Sequence, residues 1–191
     1  MTHQDIIKSA TDEELVALTI KEQDYFLGIL ERYRPKLFSY IRRLTNIGPE
    51  DAEDILQEVF IKTYANLNDF NSSLKFSSWI YRIAHNQVIS HHRKVKARPE
   101  GYAVPVDDHL IESLVAETDI IRGVDQEILR EKVKSALEKI DARYQEVLML
   151  KFLEEKSYQE ISDIIAKPLG TVASLINKAK QEFKKEFYVS K

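Results

Sequence analysis

An all-α fold of two helical domains joined by a flexible linker, with a helix-turn-helix in the C-terminal domain, is the class this sequence predicts. Three observations predict it. Gly and Pro number only five each in 191 residues, and long stretches are built from Leu, Glu, Lys, Ile and Ala, which favour helix. Apolar residues recur at helical spacing, as at Ile80, Ile83, Ala84 and Val88, where i, i+3, i+4 and i+8 share one face. Two capping boxes, Thr11-Asp12-Glu13-Glu14 and Ser157-Tyr158-Gln159-Glu160, mark helix starts by pairing each N-cap hydroxyl with an acid three residues on.

The elements follow in order. Thr11 caps a short helix to about Lys21, with Leu15, Val16 and Leu18 apolar. A longer helical region runs from Gln23 to Leu44 on a stripe of Phe26, Ile29, Leu30, Tyr33, Leu37, Tyr40, Ile41 and Leu44. Pro35 removes a backbone donor inside it, so a kink or break is expected there. Asn46-Ile47-Gly48-Pro49 reads as a turn, with Pro49 at the first position of the next helix. Glu50, Asp51, Glu53 and Asp54 crowd its first turn, where the dipole favours anions. That helix reaches about Asn66, burying Ile55, Val59, Phe60 and Thr63 and turning Asp54, Gln57, Glu58 and Ile61 outward.

Asn68-Asp69-Phe70-Asn71-Ser72-Ser73 is a polar loop, and a helix from Phe76 to Lys94 follows it. Residues 1–94 form the first domain. Residues 95–124, with Pro99, Gly101 and Pro105 and then many acids, read as an acidic linker holding at most a weak helix over Asp108 to Glu117. Residues 125–191 form the second domain. Ile128, Leu129, Val133, Ala136, Leu137 and Ile140 mark its first helix, and Asp141 caps the next, which runs to about Glu154. Ser157 caps a short helix, Ala166-Lys167-Pro168-Leu169-Gly170 breaks it, and a basic helix runs to Phe187 on Val172, Leu175, Ile176, Ala179 and Phe183.

Charge is uneven although the net is only −3. Trp79 to Arg98 has five bases and no acid. Asp107 to Glu127 has seven acids and one base, and Thr171 to Lys191 five lysines and two acids. There is no cysteine, which excludes disulfides and thiolate metal sites. No apolar run approaches a membrane span, and no signal peptide is expected from Met-Thr-His-Gln-Asp. A cytoplasmic location is expected. His85, His91 and His92 lack metal-ligand spacing and have no nearby carboxylate. No phosphate loop, nucleophile elbow or acid/base pair is present, so no catalytic residue, metal or cofactor is expected.

Three stretches are candidates for binding. The helix after the polar loop carries Trp79, Arg82, Asn86 and Arg93 on one face. An acid-free basic helix with an aromatic end suits a nucleic acid whose bases stack; on this stretch alone an ordinary amphipathic helix with a core Trp and a solvated basic face is the preferred reading. Asp54, Gln57 and Glu58, at i, i+3 and i+4, form an acceptor-rich patch that is either solvated or docks on a basic partner. Residues 157–183 have helix-turn-helix form, with a plain helical hairpin as the alternative. In the first form Thr171, Ser174, Asn177 and Lys178 face base edges, while Lys180, Lys184 and Lys185 reach phosphates.

Asp51-Ala-Glu-Asp-Ile-Leu-Gln-Glu-Val-Phe60, Phe76-Ser-Ser-Trp-Ile-Tyr-Arg-Ile-Ala-His-Asn86, Tyr144-Gln-Glu-Val-Leu-Met-Leu-Lys-Phe152, Ser157-Tyr-Gln-Glu-Ile-Ser162 and Gly170-Thr-Val-Ala-Ser174 together resemble the extracytoplasmic-function class of bacterial RNA polymerase sigma factors. The resemblance covers nearly all of the chain outside the linker. It implies a factor that directs core polymerase to specific promoters and promotes melting and initiation. It implies that Asp54, Gln57 and Glu58 contact the polymerase clamp. It implies that the loop Asn68 to Lys75 captures a flipped base. The minus-ten contacts would come from Asn71, Ser72, Lys75, Phe76, Trp79, Arg82, Asn86, Arg93 and Lys94. The second domain would read the minus-thirty-five element through Thr171, Ala173, Ser174, Asn177, Lys178 and Lys180. Core polymerase, promoter DNA and an anti-sigma factor are the implied partners. The chain departs from the family's common pattern at Ala173 and Leu175, where a basic residue is usual, and at Ser90, where Asp is. Two other readings fit parts of the pattern: a helix-turn-helix regulator that never touches polymerase, and a helical nucleic-acid-processing enzyme.

Overall fold

A computed structural model describes residues 3–45, 47–94, 108–118 and 126–189. The chain divides into two compact units, Met1–Tyr102 and Ala103–Lys191. Among the described residues all regular structure is helical, in ten α-helices and two short 3-10 turns.

In the first unit, α1 (His3–Ser9) and α2 (Asp12–Lys21) precede a 3-10 turn (Gln23–Tyr25), and α3 (Phe26–Thr45) follows. Next come α4 (Pro49–Ala65), a second 3-10 turn (Leu67–Asp69) and α5 (Phe76–Lys94). The core lies where α3, α4 and α5 pack on one another, with α2 against α3. Ile29, Leu37, Tyr40, Ile41, Leu56, Val59, Ile80, Tyr81 and Ala84 fill it. Each fully buried Ile or Leu among them stabilises the fold by roughly 1.5–3 kcal/mol. Both capping boxes form as the sequence predicts, and Pro49 occupies the start of α4.

Pro35 does not break α3, which is continuous from Phe26 to Thr45. Pro35 and Glu31, whose carbonyl loses its donor, lie on the exposed side. Tyr33 and Leu37 on the inner side keep the helix seated, so burial outweighs a proline cost of about 3 kcal/mol. The sequence also gives no sign of α1. α3 and the first 3-10 turn hold it and the start of α2, with the His3 ring against Tyr25 at 3.9 Å. Ile7 is buried, and a Cβ at Gly28 would meet its Cγ2 at 2.8 Å, so glycine permits the approach. Arg32 donates to the carbonyls of Ile7 and Ala10, each at 2.6 Å, and to Asp12 at 2.8 Å. Tyr33 donates its hydroxyl to the other Asp12 oxygen.

In the second unit, α7 (Gln126–Lys139), α8 (Ala142–Phe152), α9 (Tyr158–Ile165) and α10 (Leu169–Val189) follow α6 (Asp108–Glu117). α10 packs on α7, α8 and α9, burying Val172, Ile176, Ala179, Phe183 and Phe187. The sequence allows at most a weak helix at Asp108–Glu117, within a linker. α6 instead buries Leu110, Ile111, Leu114 and Val115 and contacts α7 and α8. Its apolar side therefore belongs to the second core, although acids surround it. The other linker residues, 95–107 and 119–124, lie outside the described residues. Ile128, expected among the apolar marks of α7, is exposed.

Gln145 is the buried polar group that joins α7 to α8. It is 2% exposed, and its Nε2 donates to Leu137 O at 2.7 Å and Ile140 O at 3.1 Å. These are carbonyls at the end of α7, where a helix lacks its own donors. Gln145→Ala leaves both without that donor and is expected to lower stability by about 2 kcal/mol, read as a lower urea midpoint. A second test concerns pH. Burial first, and then the hydrogen bond to Asp12, push the Tyr33 hydroxyl well above its ordinary range. The folded state thus holds a proton that the unfolded state releases from about pH 10, and stability falls as pH rises above that point. Tyr33→Phe is expected to lose stability less steeply over this alkaline range, as measured by denaturation at stepped pH.

Candidate nucleic-acid interface

α4 turns one stripe inward and one outward. Ala52, Ile55, Leu56, Val59, Phe60 and Thr63 are buried. Asp54, Gln57 and Glu58 are exposed, and Ile61, 61% exposed, continues their stripe one turn on. Tyr64 is 46% exposed and packs edge-on against Phe26 of α3 at 5.0 Å between ring centres. The patch is therefore acidic at one end and apolar at the other. Glu53, beside it, pairs with Arg34 of α3 at 2.8 Å, so it braces the helix.

The loop before α5 is structured by its own polar groups. Asn71 Oδ1 accepts from Ser73 N at 3.0 Å, and Asn71 O accepts from Leu74 N at 3.0 Å. Asn71, Ser72 and Lys75 are exposed. Lys75 O accepts from the N–H groups of Ser78 and Trp79, which starts the helix. Phe76 then points into the core. It is 0% exposed, with Tyr33, Phe70 and Trp79 at 5.6, 5.4 and 5.7 Å. This corrects its assignment as a DNA contact: an aromatic ring opening a helix against a hydrophobic cluster is buried rather than offered to solvent.

Trp79 is half-buried and packs on Phe70 at 5.4 Å. Arg82, Asn86, Arg93 and Lys94 are exposed. Arg82, Asn86 and Arg93, at i, i+4 and i+11, project from nearly one side. Of the apolar face read from the sequence, Ile80, Ala84 and Val88 are buried and Ile83 is half-buried. His85 is buried, and the His92 ring N–H donates to Leu44 O at 3.1 Å. These two histidines thus serve the scaffold. Lys96 and Arg98 lie outside the described residues.

In the second unit, α9 ends at Ala166 in the left-handed region, φ 52°. Ser162 staples the turn that follows. Its carbonyl accepts from Ala166 N and from Lys167 N, and its hydroxyl donates to Lys167 O at 2.6 Å. Pro168 O then accepts from Thr171 N and Val172 N, starting α10. Thr171, Ser174, Asn177 and Lys178 are exposed, whereas Ala173, Leu175 and Lys180 are half-buried. The Lys180 ammonium lies over the Phe152 ring at 5.6 Å, turned to its own unit. Lys185 pairs with Glu182 at 3.6 Å. The outward stripe of Thr171, Ser174, Asn177 and Lys178 is hydroxyl-rich and carries one cation.

Sequence reasoning does not find Glu13, whose carboxylate reaches Phe76 N from α2, or the hydroxyl staple of Ser162. Glu13 has no local pattern, because its partner lies 63 residues on; the Ser162 bond spans only five residues but depends on the left-handed turn at Ala166.

Residues 29–98 match the family described as sigma-70 region 2, and residues 130–183 that described as sigma-70, region 4. The ECF RNA polymerase sigma factor SigW of Bacillus subtilis (strain 168) is 33% identical over 178 residues, covering 86% of this chain and 90% of its own. Among solved structures, CnrH in complex with the cytosolic domain of CnrY aligns at a TM-score of 0.67 and 19% identity, over 94% of this chain and 99% of that one. The sigma factor RpoE in complex with the anti-sigma factor NepR, from Bartonella quintana, aligns at 0.59 and 20%, over 87% and 98%. At such identities these two speak for the fold.

The Ala166 backbone gives a direct test of the turn. A left-handed residue with a Cβ is strained, and glycine is the usual occupant after a helix. Ala166→Gly is expected to raise stability by about 1 kcal/mol, seen as a higher denaturant midpoint with the helical signal unchanged.

Proposed function

This chain belongs to the extracytoplasmic-function class of RNA polymerase sigma factors, and from that premise we propose how its surfaces divide the work. It directs core polymerase to specific promoters and promotes the melting that begins transcription. Recognition is its part; the polymerase supplies the chemistry. Its place of action is the cytoplasm.

Asp54, Gln57 and Glu58, with Ile61 beside them, dock on the polymerase clamp. The exposed acids supply charge complementarity, which governs encounter rate and register more than raw affinity. Ile61 and Tyr64 supply apolar area. The loop Asn68 to Lys75 captures one base flipped from the stack. Flipping costs a few kcal/mol, which contacts with Asn71, Ser72 and Lys75 offset. Trp79, Arg82, Asn86, Arg93 and Lys94 then follow the opened strand. Thr171, Ser174, Asn177 and Lys178 read the minus-thirty-five element, while Ala173 and Lys180 sit at the margin of that stripe. An anti-sigma partner belongs to the same proposal, as RpoE was solved with NepR.

One observation carries this reading. The side of α5 that faces away from the core is basic, polar and free of acid from Phe76 to Lys94, and it begins at a half-buried tryptophan behind a structured loop. Such a surface suits a single strand: cations follow phosphates, and a ring gives bases a platform.

The test is initiation with purified core polymerase on a promoter library. With promoter-dependent initiation established, permanganate footprinting of Trp79→Ala combined with Arg82→Ala is expected to show strand opening reduced about tenfold, with polymerase binding nearly intact. Asp54→Ala, Gln57→Ala and Glu58→Ala together are expected to weaken polymerase binding itself. No initiation on any promoter of the library would sink the reading.

A further inference from the structure

The first turn of α2 holds Asp12, Glu13 and Glu14, and each carboxylate has a different task. Asp12 accepts from Arg32 and Tyr33 of α3. Glu14 accepts from Thr11 N at 2.7 Å, closing its own capping box. Glu13 Oε1 accepts from Phe76 N at 3.0 Å, across 63 residues of sequence. Phe76 is the first residue of α5, and a first-turn amide has no partner within its own helix. A carboxylate satisfies it and also faces the positive end of the helix dipole. The bond is partly buried on the Phe76 side, although Glu13 itself is exposed.

Phe76 is also the hinge of the aromatic cluster, with Phe70 on one side of the polar turn and Trp79 one helical turn on. Shifting its amide therefore moves both ends of the turn at residues 71–74 and the tilt of the Trp79 ring. We propose that Glu13 is a positioning residue for promoter melting: through the Phe76 N–H it holds the loop and Trp79 in the arrangement that receives the flipped base. This rests on the reading of residues 68–75 as the base-capturing loop.

The experiment uses the full chain with core polymerase and compares Glu13→Ala with Glu13→Gln. The glutamine keeps an oxygen able to accept the Phe76 N–H, and the alanine does not. Three quantities are read: polymerase binding, permanganate-detected opening, and the emission of Trp79, the only tryptophan. Glu13→Ala is expected to lower opening about fivefold and shift the emission, with polymerase binding changed less than about twofold. Glu13→Gln is expected to restore both opening and emission. Asn71→Ala with Lys75→Ala serves as the control for the loop. If that control lowers opening and Glu13→Ala does not, the proposal is overturned and the loop reading stands. If neither lowers it, the loop reading falls and takes the proposal with it. Equal defects in the alanine and glutamine variants, or a loss of polymerase binding that matches the loss of opening, also overturn it, since they assign Glu13 to charge or to general stability.

Discussion

The burial of one ring, Phe76, is the constraint on which the first unit depends. Its side chain lies among Tyr33, Phe70 and Trp79, and its backbone is tied to α2. Burying a Phe contributes on the order of 2 kcal/mol, and an edge-to-face partner adds up to about 1 kcal/mol more. The larger effect is geometric. With Phe76 fixed, α5 cannot rotate about its axis without exposing Ile80, Ala84 and Val88. The directions of Arg82, Asn86 and Arg93 then follow from 3.6 residues per turn. The same ring anchors Phe70 and therefore the far side of the polar loop. An exposed, basic surface is thus oriented by a dry contact beneath it.

The second unit reaches the same end by a different route. There the helix termini are satisfied one by one. Gln145 meets carbonyls at the end of α7, Asp141 caps α8, Ser157 and Glu160 cap α9, and Ser162 closes the turn before α10. Each bond is worth only about 1 kcal/mol net. Together they fix where α9 stops and α10 begins, and hence which residues open α10.

Much of this was legible in the sequence, for identifiable reasons. Helix starts were legible because capping is local: Thr11, Asp141 and Ser157 sit within three residues of the groups they satisfy. The bounds of α5 and the outward stripe of α4 were legible because periodicity and burial agree there. Three features misled. Pro35 carries a strong local penalty that tertiary packing overrides. The acids around α6 mask a four-residue apolar stripe, whose partners on α7 and α8 lie farther along the chain. Phe76 sits in a run of candidate binding residues, and only its neighbours from α3 and the loop make it a core residue. The partners of Glu13, Gly28 and Arg32 had no sequence signal, because contacts across tens of residues follow no local period.

The inward turn of Lys180 bears on how α10 would respond to its ionic surroundings. Its ammonium lies over Phe152, and Lys185 is paired with Glu182. Of the outward stripe, only Lys178 is a cation. Each phosphate neutralised by a protein cation releases condensed counterions, and the slope of affinity against salt counts those events. On the proposed reading, the start of α10 adds little to that slope. Its hold on DNA comes from hydroxyl and amide contacts that added salt does not screen. The basic side of α5 adds most of it, so the two contacts with one promoter would weaken unequally as ionic strength rises.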